Sequence, residues 1–115
     1  QYTHARLGSI LRKYQAEIPA QIDFTLLLDD IAYNLIKQLM WLPEKIKRAA
    51  SDYEPSIIAN YLLAVCNAAN YFYNHCRVLS DNLAERQARI KLIYCTKMVI
   101  KKCLNLLGLT APEQM

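Results

Sequence analysis

Two glycines, Gly8 and Gly108, are all that this 115-residue chain offers for backbone conformations other residues avoid. An all-β fold of this length needs many tight turns, and such turns draw on glycine. A glycine-rich phosphate cradle needs several glycines clustered before a helix, so that too is excluded. Apolar residues instead recur at helical spacing, and no stretch alternates as a strand does. Hydrophobic residues make up 54% of the chain, enough to fill one core and too many for a disordered segment. The expected fold is all-α: a single-domain helical bundle of about five helices spanning residues 1–115.

The first helix is expected from Tyr2 to Tyr14, with Leu7, Ile10, Leu11 and Tyr14 on one stripe. A polar connector, Gln15 to Asp23, contains Pro19. The second helix starts near Thr25, capped by Asp23 or Thr25, and its stripe runs through Leu27, Leu28, Ile31, Leu35, Leu39 and Leu42. Pro43 interrupts that stripe and opens a short third helix reaching about Asp52. Pro55 opens the fourth and longest, predicted to run to about Leu79 and to span roughly 37 Å. After a polar break from Ser80 to Leu83, the fifth runs from Ala84 to Leu107, with Gly108 as its stop. The opening at Gln1, without an initiator methionine, suggests a piece of a longer protein.

No run of about 18 apolar residues occurs, and nothing at the N-terminus has the pattern of a targeting segment. The four cysteines, Cys66, Cys76, Cys95 and Cys103, form no Cys-x-x-Cys pair and lie in apolar segments. They are expected to be reduced core thiols in a reducing, cytoplasmic compartment. The catalytic inventory is thin. His4 and His75 are far apart, while His75–Cys76 and Asp29–Asp30 are adjacent pairs that diverge by about 100° on a helix. No serine sits in a nucleophile-elbow sequence. Neither a catalytic set nor a metal site is expected.

The net charge is +4, and its distribution says more than its size. Residues 1–14 carry +3 with no acid, residues 15–83 carry −3, and residues 84–115 carry +4. First and last helices lying side by side would make one basic surface, suited to a nucleic-acid backbone. Solvated lysines on exposed helix faces would give the same count. The predicted fourth helix adds a second signal. Asn60, Asn67, Asn70 and Asn74 punctuate an apolar run that also holds Tyr61, Tyr71, Phe72 and Tyr73. Asparagine competes for backbone hydrogen bonds and is a mediocre helix former, so four in one helix call for partners. Positions 66, 70, 73 and 77 share a face, which sets Asn70, Tyr73 and Arg77 in a row. An amide, an aromatic plane and a guanidinium can read unstacked RNA bases. The same residues can also tie helices together and fill a core, with a tyrosine hydroxyl at the surface.

The opening YTHARLGSILRK, the middle LPEKIKRAASDYEPSIIANYL, the stretch NYFYNHCRVL and the end ARIKL…LNLLGLTAPEQM occur in order and at familiar spacing. Together they resemble the C-terminal anticodon-binding (DALR-type) domain of arginyl-tRNA synthetases, which are class I aminoacyl-tRNA synthetases. The resemblance covers essentially the whole chain. It implies a helical bundle that grips the anticodon stem and loop of tRNA-Arg. By this resemblance Tyr73 would stack on an anticodon-loop base, Arg77 would support the loop and Asn70 would pack beside it. Met115 would approach the anticodon, and Tyr2, His4 and Arg6 of the Tyr-x-His-x-Arg opening would border the RNA. Gln114 departs from the arginine usual before the final methionine, so a charged contact there is lost. The complete enzyme would join arginine to its tRNA using ATP with magnesium, its catalytic domain being the other partner. The catalytic fold and both nucleotide-binding signatures are missing from these residues, so the domain alone should bind without catalysis. The rival reading is a helical protein–protein interaction or interdomain docking module. Its support is the eight tyrosines and the apolar positions near Leu39 to Leu42.

Overall fold

The structure, a computed structural model, describes residues 3, 5, 7–9, 30–76 and 82–108. Four helices carry these names: α1, Asp30–Met40; α2, Leu42–Asp52; α3, Pro55–His75; and α4, Leu83–Leu106. They are the second to fifth helices expected from the sequence. Thr3, Ala5, Leu7, Gly8 and Ser9 are also helical and belong to the expected first helix. The Pro19 connector and the caps proposed at Asp23 and Thr25 lie outside the described residues. No strand occurs among the described residues, as an all-α fold requires.

Proline sets the joints. Pro43 has no N–H to give to the carbonyl four residues earlier, that of Leu39, so α1 and α2 part at Trp41. The hydroxyl of Tyr61, reaching over from α3, donates to the Gln38 carbonyl and lies 3.3 Å from that of Leu39. Burial raises the Tyr61 pKa well above the ordinary tyrosine range, with Cys103 adding to the rise, so the phenol stays a donor. α2 ends at Tyr53, whose N–H still reaches the Ala49 carbonyl and whose left-handed backbone (φ 54°) turns the Glu54 N–H back to the same carbonyl at 3.0 Å. Pro55 then opens α3. At the start of α4 the Asn82 side chain accepts from the Glu85 N–H at 3.0 Å. Gly108, at φ +76°, follows the last turn of α4.

α3 is the hub, packing against α1, α2 and α4, while α1 also touches α2 and α4. The core is continuous across them. Leu35 of α1, Val65 and Phe72 of α3, and Ile90, Ile93 and Ile100 of α4 are sealed from solvent, joined by Leu7 from the N-terminal segment. α2 has no buried residue and lies on the hub as an outer brace.

Two expectations need correction. α3 stops at His75, with Cys76 in extended backbone (φ −128°, ψ 133°), rather than running to Leu79. The periodic row 66, 70, 73, 77 is therefore cut between its third and fourth members. None of the four thiols is in a disulfide, but only Cys66 and Cys103 are buried; Cys76 is half-buried and Cys95 is exposed. Cys95 lies off the stripe formed by Ile93, Ile100 and Leu104, so an apolar neighbourhood in sequence did not make it a core residue.

Candidate nucleic-acid interface

α3 contains no Asp, Glu, Lys or Arg in its 21 residues, and its two long sides differ. The side that turns inward carries Cys66, Asn70 and Tyr73. Thr3, itself buried, stands between the first two: its hydroxyl bonds the Cys66 thiol and receives a long hydrogen bond, 3.4 Å, from Asn70 Nδ2. Burial pushes the Cys66 thiol up, and the Thr3 hydroxyl partly offsets the rise. Asn70 thus ties the hub to the N-terminal segment, as the helix-tying reading expected. A bond of that length is weak, so the amide can exchange it. Tyr73 is half-buried and packs against the core cluster.

The outward side carries Asn60, Leu63, Asn67, Tyr71 and Asn74, all exposed. At its far end the rings of Tyr71 and His75 stack, centroids 4.0 Å apart and planes 26° from parallel. The His75 ring is fixed by Nδ1–H donating to the Tyr71 carbonyl at 2.9 Å. Three of the four asparagines expected to need partners therefore face outward, while Asn70 is drawn into the packing.

On α4 no acidic residue occurs after Glu85, and six basic residues follow it. Glu85 pairs with Arg89 at 3.0 Å. Lys101 and Lys102 are exposed, and Lys91 lies 5.6 Å from the ring centre of Tyr94. That is the C-terminal half of the basic surface read from the charge distribution; Arg6, Arg12 and Lys13 of the other half lie outside the described residues. So do five of the seven residues expected to contact RNA: Tyr2, His4, Arg6, Arg77 and Met115. The structure brings Asn70 and Tyr73 onto one side of the hub. The outward row was not anticipated as a face, although the spacing 60, 67, 71, 74 and the missing charges would have disclosed it. Among the described residues no group of three His, Cys, Asp or Glu side chains could hold a metal ion. No helix of the described residues is long and apolar enough to cross a membrane.

A helical bundle built on a charge-free, amide- and aromatic-rich hub, beside a strongly basic last helix, has the character of a binding domain. The chain belongs to the DALR anticodon binding domain family, which it matches over residues 1–115. Over its whole length it is 43% identical to an arginine–tRNA ligase of Lactococcus lactis subsp. cremoris and 44% identical to arginine–tRNA ligase 1 of Bacillus cereus. In each case it spans 20% of the relative's length. The arginyl-tRNA synthetase of Thermus thermophilus shares the fold at a TM-score of 0.89 and 30% identity, over 99% of this chain and 20% of that one. That of Plasmodium falciparum does so at 0.85 and 23% identity, again over 99% of this chain and 20% of the other, a likeness of fold alone. The family expected from the four quoted stretches is the family found.

Proposed function

We propose that this chain recognises the anticodon stem and loop of an arginine tRNA, as the C-terminal domain of a longer, cytoplasmic arginine–tRNA ligase. The match of all 115 residues to the anticodon-binding family and to arginine–tRNA ligases carries this reading. The chain spans about a fifth of those ligases. ATP with magnesium would act in the catalytic domain beyond it, where arginine is joined to the tRNA. The 115 residues bind and position. Anticodon contacts made here hold the acceptor end in register for the chemistry elsewhere.

In this reading Tyr73 stacks on a loop base and Asn70 gives up its weak bond to Thr3 for a base or ribose partner. Arg77 and Met115 approach the same loop, and Tyr2, His4 and Arg6 border it. The half-buried position of Tyr73 and the long Asn70 bond are compatible with those roles. A second reading, docking against the catalytic domain, is favoured at one place: Met40 and Trp41 are 73% and 55% exposed at the α1–α2 joint. The two roles are not exclusive.

The test is binding of the chain to an arginine tRNA and to a non-cognate tRNA at two salt concentrations. Salt-sensitive binding that prefers the arginine tRNA supports the proposal. Absence of binding to either by the folded chain would leave only the docking role.

A further inference from the structure

A groove of about 390 Å³ runs between the end of α1, α2 and the first half of α3, lined by Gln38, Lys45, Arg48, Ile57, Asn60 and Tyr61, with Ala64. Among the described residues its charged lining is two cations, Lys45 and Arg48, about one helical turn apart. Lys45 Nζ is 6.0 Å from the ring centre of Trp41. The acid nearest Arg48 in an ion pair, Asp52, is 3.9 Å away, with side chains 68% and 50% exposed, a contact too loose and too wet to hold the guanidinium. The floor is rigid, because the Tyr61 hydroxyl is already bound to the α1 carbonyls. Asn60 belongs both to this groove and to the outward row of α3. From it Ala64, Asn67 and Tyr71 follow at i+4, i+7 and i+11, so the row covers about 16 Å and ends on the stacked Tyr71–His75 pair.

We propose that this groove and row form a second RNA-contact surface, in which Lys45 and Arg48 hold backbone phosphate and the Tyr71–His75 pair offers a stacking plane to a base. The proposal rests on the reading that the chain binds RNA. It concerns a different side of the hub, since Tyr71 and Tyr73 point about 200° apart around the helix. The chemistry selects nucleic acid over an acidic peptide. A peptide would need cations along its path, and α3 itself carries none between Asn60 and His75. A polynucleotide needs cations only for phosphates, with amides for base edges and ribose hydroxyls and flat rings for bases. The order along the surface is cations, amides, then rings.

The experiment measures affinity of the chain for an arginine tRNA and a non-cognate tRNA across a salt series, with thermal midpoints recorded alongside. The variants are K45Q/R48Q, the charge-preserving swap K45R/R48K, Tyr71→Ala and Tyr73→Ala. The expected result for K45Q/R48Q is weaker binding to both tRNAs alike and a log–log salt slope shallower by about one to two units. The swap should keep the wild-type slope, and Tyr71→Ala should weaken binding roughly 5- to 150-fold with little change in slope. An unchanged slope in K45Q/R48Q, with wild-type binding intact and Tyr73→Ala impaired, overturns this surface alone. It would leave the groove to an acidic segment of a partner protein. A wild-type chain that binds neither tRNA overturns this surface and the proposed function together.

Discussion

The two sides of α3 are made of the same residue types and are put to different ends. Inward, Asn70 is held by Thr3 and Tyr73 leans on the core; outward, Asn67 and Tyr71 are exposed, and the Tyr71 ring stacks on His75 of the same helix. Composition therefore does not separate buried from exposed positions on this helix; position does. A residue two places along, as from Tyr71 to Tyr73, changes from exposed to half-buried because successive side chains turn by about 100°. The inward side can contribute to RNA binding only where its packing is incomplete, as at Tyr73 and Asn70. The outward side is exposed along Asn60, Leu63, Asn67, Tyr71 and Asn74.

The strongest way to break this contrast is the neighbouring pair Phe72 and Tyr71. Phe72 is sealed at the centre of the core, so Phe72→Ala should lower stability by roughly 3–5 kcal/mol in chemical denaturation. Tyr71→Ala, 51% exposed beforehand, should change it by less than about 0.5 kcal/mol. Similar losses for the two would mean that the outward row is packed in solution. Next is the cap: Asn82→Ala removes the acceptor for the Glu85 N–H and should cost about 1 kcal/mol, read as a lower thermal midpoint. Tyr61→Phe sharpens the comparison from within the hub, because it takes the hydroxyl from the Gln38 carbonyl and from that of Leu39, which Pro43 leaves without its helical donor. A loss of about 0.5–1.5 kcal/mol is expected, and no loss would mean that water replaces the hydroxyl.

The smallest effect concerns pH. Burial, helped by the neighbouring Cys66, raises the Cys103 thiol from 9 to about 11. A group whose folded pKa is raised contributes stability below its unfolded pKa and loses it as pH climbs to the folded value. Stability should therefore fall between about pH 9 and 11, and Cys103→Ala should flatten the start of that fall, before the tyrosines titrate. Denaturation midpoints on either side of the unfolded thiol pKa would show it.

Much of the architecture was readable from punctuation and period. Pro43, Pro55 and Gly108 mark real joints, and the stripe through Ile90, Ile93, Ile100 and Leu104 is the buried side of α4. What was not readable depended on contacts distant in sequence or on the absence of a signal. No glycine or proline marks the end of α3, so periodicity alone carried the helix past His75. Asn70 finds its partner at Thr3, 67 positions away, which no local pattern encodes. Nothing in the sequence sets Lys45 and Arg48 apart from other helix charges; α3 supplies the other wall of their groove.

In the proposed function this domain reads the anticodon of an arginine tRNA. Its most direct test is to measure binding of the chain to one arginine tRNA before and after replacing only its anticodon loop with that of a non-cognate tRNA, at constant salt. If the domain reads the anticodon, the exchange removes most of the preference, while the salt-dependent backbone contribution persists. Equal affinity for the two molecules would contradict it.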